Sequence, residues 1–242
     1  MTKYFALLLA TLVILAVSCG GSKDKPAATP TSAPSAASEP IADSLGWNRV
    51  PRIVVLAVRE DDSRIANVRE AVSFWNDRFQ ELGSPFRLGS VTVVKGQLPD
   101  GYLPMVSEAM GSGPIPLGRY PLPDFVLALP AEIVVALSDE NFVSFTLTPQ
   151  IPGRPRTAYI AIRNGQNAPL ILPNVARNLI AHELGHALGL GHNSDATKLM
   201  CGRPAACRPD SFTSNESRFF PLTDGEKTRL TSFYPPSWKA TQ

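Results

Sequence analysis

The chain has 242 residues, of which 44% are hydrophobic and 18% charged, and its formal net charge is +2. A near-balanced charge with no block of one sign gives no footing for a nucleic acid or another charged polymer as partner. Beyond its N-terminal segments the chain is long enough for one domain with a full core.

At the N-terminus, Lys3 supplies a charged start and Tyr4 to Val17 is almost wholly apolar. This stretch is too short to span a bilayer comfortably and has the layout of a secretory signal. It ends in Ala16-Val17-Ser18-Cys19-Gly20-Gly21-Ser22, small residues before a cysteine and a polar run after it, which resembles the lipobox of bacterial lipoproteins. The resemblance implies that residues 1–18 are removed, that Cys19 carries lipid, and that the chain is exported and held at the bacterial cell envelope on an extracytoplasmic membrane face. A plain secretory signal with an incidental cysteine would give export without the tether. Residues 19–45, dominated by Ala, Pro, Ser and Thr, cannot bury enough apolar surface to fold and read as a disordered linker. The folded domain is expected over residues 46–242.

Within it, Arg52 to Val58 is apolar and β-branched, which predicts a buried strand. Ile65, Val68, Val72, Trp75, Phe79 and Leu82 then recur at helical spacing as one core stripe, with Ser63 to cap its start and Gly83 to close it. A strand over Ser90 to Lys95 would complete a parallel strand–helix–strand unit. The Gly- and Pro-rich stretch Gly96 to Pro123 predicts at most a short helix near Pro104 to Met110, and a connection of this length is usually functional or mobile. Further strands are expected at Asp124 to Leu129, Glu132 to Leu137, Asn141 to Thr148 and Thr157 to Arg163. Two more helices follow, at Asn174 to Leu188 and from Thr223 to Tyr234, the latter opened by a Thr223/Glu226 capping box.

The three histidines of the chain all fall within His182-Glu183-Leu184-Gly185-His186-Ala187-Leu188-Gly189-Leu190-Gly191-His192. His182 and His186, four apart, share one helix face. Gly189 lets the chain leave the helix with positive φ and return His192 as a third ligand. Three protein ligands leave a fourth position open, the mark of a catalytic zinc rather than a structural one. Glu183 lies where its carboxylate can reach a water on the same metal and act as general base.

With its third histidine and glycine in place, this segment resembles the signature of the metzincin zinc endopeptidases, most closely the matrixins. The resemblance implies an α/β (α+β) zincin-like fold, with a twisted mixed sheet of about five strands, a long helix, a zinc-site helix and a C-terminal helix. It also implies a peptide or protein substrate, hydrolysed by a zinc-bound water with Glu183 as base. Met200 falls where that family places its Met-turn, an apolar floor under the ligands. Asn178, one turn before His182, looks like the family position that sets substrate-pocket depth; a plain polar helix residue is the equal alternative. An extended substrate would pair with an edge strand, for which Asn141 to Thr148 is the candidate. Asn193 stands where matrixins usually carry serine. No histidine is left for the second, structural zinc of matrixins, so one zinc is expected. Calcium, bound through oxygen, leaves a weaker sequence trace and stays open.

With Cys19 spent on lipid, Cys201 and Cys207 form an even pair, and an oxidising compartment favours a disulfide across the loop after the zinc helix. A monomer is expected. The alternative from another class is a catalytically silent zinc-binding surface lipoprotein, an adhesion or binding module, which would have no chemical use for Glu183.

Overall fold

A computed structural model describes residues 46–111, 121–149, 155–202 and 216–241. The signal, the linker, Cys19 and Cys207 lie outside the described residues. Ten elements follow in chain order: β1 (Ile53–Ala57), α1 (Arg64–Glu81), β2 (Val91–Lys95), α2 (Tyr102–Gly111), α3 (Asp124–Leu127), β3 (Ile133–Leu137), β4 (Phe145–Leu147), β5 (Ala158–Ile162), α4 (Pro173–Ala187) and α5 (Asp224–Phe233). The strands form one mixed sheet in the order β2-β1-β3-β5-β4. The first four are parallel, and β4 runs antiparallel to β5 at the edge.

The apolar runs of β1, β3 and β5 are buried at every residue, as strands covered on both faces must be. Alternation sends Ile53, Val55, Ile133, Val135, Ile160 and Ile162 into one core with α1 and α4. The opposite face, with Leu56, Val134 and Tyr159, packs under Val126 of α3. No described helix is long and apolar enough to cross a membrane.

Two local expectations are corrected. The Asp124–Leu129 segment is not a strand: its first four residues form α3, entered through Pro123 at φ −56°, ψ 142° with Asp124 in the first turn. A short apolar run carries no period that separates a strand from a buried helical turn, and here the proline sets the entry. Ser63 does occupy the N-cap of α1, but its side chain makes no capping bond because its backbone is already helical at φ −58°, ψ −25°. Asp62 takes over, its Oδ1 accepting from the Arg64 amide at 2.9 Å.

That carboxylate belongs to a buried clamp. Arg64 Nε and Nη2 donate to Asp62 at 3.0 and 2.6 Å, while Nη1 donates to the carbonyls of Ser138 and Arg163, each at 2.7 Å. The start of α1 is thereby bound to the ends of β3 and β5. Burial alone would push the Asp62 carboxyl up, but the Arg64 hydrogen bonds and charge outweigh it and hold the group below the usual carboxylate range. The unfolded chain therefore takes up this proton first as pH falls, so the stabilisation is complete above about pH 5 and is lost progressively below it. In metal-free protein, Asp62→Asn is expected to lower stability at pH 7 by about 3–5 kcal/mol. It should also flatten the loss of stability between about pH 5 and 3, both read from urea melts across pH.

Candidate metal centre

Helix α4 starts with Pro173 at its first positions, where a missing amide costs nothing. It ends in a Schellman turn: Leu190 N donates to Gly185 O and Gly189 N to His186 O, each at 3.0 Å, with Gly189 at φ 97°. The last carbonyls are capped from distant parts of the chain. Trp47 Nε1 donates to Ala187 O at 3.0 Å, Tyr234 Oη to Leu188 O at 3.1 Å, and Arg229 Nε to Gly189 O at 2.9 Å. Donors at this negative end hold the turn that follows, and the turn sets the path to His192.

His182, His186 and His192 converge. Their Nε2 atoms stand 3.1 Å (182 to 186), 3.3 Å (182 to 192) and 3.0 Å (186 to 192) apart. His182 Nδ1 lies 2.7 Å from Leu199 O, and His186 Nδ1 lies 2.9 Å from Leu190 O. A carbonyl oxygen only accepts, so both Nδ1 atoms carry the proton and both Nε2 atoms present lone pairs. Two lone pairs 3.1 Å apart, on His182 and His186, are held together by a metal ion or a shared proton between them. Tetrahedral zinc with Zn–N bonds of about 2.0–2.1 Å sets its ligand nitrogens about 3.3–3.4 Å apart, close to what the three histidines provide. The carbonyls behind the rings are the outer partners that metal-binding histidines commonly have. Three histidines could hold a metal ion here, and among the described residues they are the group of such side chains that converges.

Glu183 is 4% exposed. Thr146 Oγ1, from β4, stands 2.7 Å from its Oε2 and 2.9 Å from its main-chain carbonyl. Met200 is fully buried against α4: a Cβ on Gly185 would stand 2.5 Å from Met200 Sδ and 3.0 Å from Trp75. The strip after His192 is tied back to this segment. Asn193 N donates to Met200 O at 2.9 Å, and Gly202 N to Asn193 O at 3.1 Å. Asn193 Nδ2 also donates to Glu226 Oε1 at 2.6 Å. The same Glu226 closes the capping box of α5, so the C-terminal helix braces the loop of the third ligand.

Asn178 is buried, and its amide is spent on backbone. Nδ2 donates to Asn174 O and Arg218 O, each at 2.9 Å, and Oδ1 accepts from Phe220 N at 2.8 Å. It thus pins the 218–220 strip to α4, while residues 203–215, between Gly202 and that strip, lie outside the described residues. Cys201 is buried beside the site.

Sequence reasoning missed Thr146 and Gly202. Nothing in the sequence pattern flagged either residue, since both contacts join segments that only the fold brings together. A Cβ on Gly202 would fall on the His192 ring. Gly202→Ala is therefore expected to displace His192 and weaken metal affinity about 10–100-fold, as loss of an outer-shell support does. Competition titration with a chromophoric chelator would read this; unchanged affinity would show that the ring has room to move.

No family model matches the chain, and no curated protein matches it. Among solved structures it is similar to archaemetzincin from Methanopyrus kandleri, at 18% identity over 77% of this chain and 96% of that one, with a TM-score of 0.41. A likeness of that degree gives no residue of this chain a role, and the chemistry is argued from the site itself.

Proposed function

We propose that the chain is a zinc-dependent endopeptidase of matrixin-like type. The carrying observation is the set of three Nε2 atoms within 3.0–3.3 Å of one another, with two Nδ1 protons held by carbonyls. A zinc ion held by His182, His186 and His192 would supply a Lewis acid that polarises a scissile carbonyl and acidifies a water. Glu183, next in chain to the first ligand, takes the proton from the attacking water and delivers it to the leaving amine. The antiparallel edge strand β4 offers backbone groups to an extended peptide and sets its direction. Met200 serves as the apolar floor, and Asn178 limits pocket depth by fixing the 218–220 strip. Removal of residues 1–18, lipid on Cys19, the cell-envelope location, a Cys201–Cys207 disulfide and a monomeric state complete the reading.

The test is direct. The zinc-loaded full chain is incubated with a broad peptide library, and new termini are identified by mass spectrometry. Internal cleavage that a chelator stops and added zinc restores supports the peptidase. Zinc binding at one ion per chain with no cleavage would favour the silent binding module instead.

A further inference from the structure

We propose that Thr146 is a positioning residue that sets the orientation of the Glu183 carboxylate, and that it couples the edge strand to the general base. The inference rests on Glu183 acting as base in the reading above.

Strand β4 has only three residues, and its alternation divides them. Phe145 and Leu147 pack with Leu103 and Val106 of α2, so Thr146 between them faces the other way, toward α4. Packing gives no reason for a hydroxyl there, since valine has the same branched shape and is the better strand former. The hydroxyl is in contact with one residue twice over: 2.7 Å from Glu183 Oε2 and 2.9 Å from Glu183 O. A glutamate side chain has three torsions, and a hydroxyl that gives its one proton to the carboxylate oxygen while standing beside the main-chain carbonyl of the same residue selects among them. The donor itself is rigid, because threonine is restricted at χ1 and its strand is hydrogen-bonded to β5 along Phe145–Leu147. The partners lie 37 residues apart in the chain, so the contact is made by the fold and not by a local turn. If a peptide pairs with β4, the strand that fixes its backbone also aims the group that takes the proton, and both move as one body.

The experiment compares zinc-loaded wild type, Thr146→Val and Thr146→Ser. A hydrogen bond to a charged group commands about a tenfold to hundredfold effect, so kcat of Thr146→Val should fall by that factor. KM should stay within about twofold and zinc content should be unchanged, because the hydroxyl touches neither ligand nor substrate. Serine restores the donor and should bring kcat back to within about threefold of wild type. A crystal structure of zinc-loaded Thr146→Val should show the Glu183 carboxylate displaced from its wild-type position. The proposal is overturned if kcat of the valine variant matches wild type, if serine rescues no better than valine, or if the carboxylate has not moved. Should valine prevent folding, Thr146→Ala is read by the same criteria. If wild type cleaves nothing, the peptidase reading fails, and the carboxylate position in the two crystal structures still decides whether Thr146 orients it.

Discussion

Glu183→Ala is expected to lower kcat by about 10²–10⁴-fold, the range a positioned general base contributes. The zinc content should equal that of wild type, because His182, His186 and His192 supply the ligand nitrogens and Glu183 supplies none. Glu183→Asp sharpens the expectation. The carboxylate is kept, but one methylene shorter it cannot hold its present place 2.7 Å from Thr146 Oγ1. Its activity should therefore lie near that of the alanine variant. The measurement is single-turnover hydrolysis of a fluorogenic peptide, with zinc quantified on the same samples by atomic emission. Wild-type rates in an alanine variant that still holds its zinc would remove Glu183 from the chemistry and return the site to the binding reading.

The second large effect is on stability. An ion that binds the folded chain at a thousand times its dissociation constant adds about 4 kcal/mol. For a domain of this size each kcal/mol moves the melting temperature by about 2–4 °C, so stripping zinc should lower Tm by about 8–16 °C. The site gives reasons for a shift at the upper end. His182 and His186 ride on one rigid helix, whereas His192 stands on a loop whose position depends on Asn193, Gly202 and Glu226. Without the ion, the tie between that loop and the helix is lost. Differential scanning calorimetry with and without chelator reads the shift. His192→Ala should behave as the stripped wild type does and respond little to added zinc. A Tm indifferent to chelation would mean that the triad holds no ion in solution.

What could be read without the fold was set by short-range geometry. Two histidines four apart share a helix face whatever surrounds them, and Gly189 is one of few residue types that can take φ 97° at the turn behind them. The α1 stripe and the Thr223/Glu226 capping box were legible for the same reason, since each is complete within a few turns of one helix. The buried strands β1 and β3 announced themselves by continuous β-branched composition. The edge position of Asn141 to Thr148 was anticipated as well, although its strand shrinks to Phe145–Leu147 because the Val143 amide and carbonyl bond to Ser107 Oγ instead.

The failures share one physical cause. Asp124 to Leu129 was ambiguous because so short an apolar run shows no period, and Pro123 together with the waiting sheet face decided for a helical turn. Asp62, not Ser63, caps α1 because its carboxylate is needed where Arg64 meets the ends of β3 and β5. Thr146 reaches Glu183 only because the chain crosses to the far edge of the sheet and returns antiparallel beside β5. The residue types and spacing of the metal ligands are local properties of the chain, so the sequence alone determined them. The aim of the base, the room for the third histidine at Gly202 and the bracing by α5 are distances between segments remote in the chain. Only sheet order and packing could decide those.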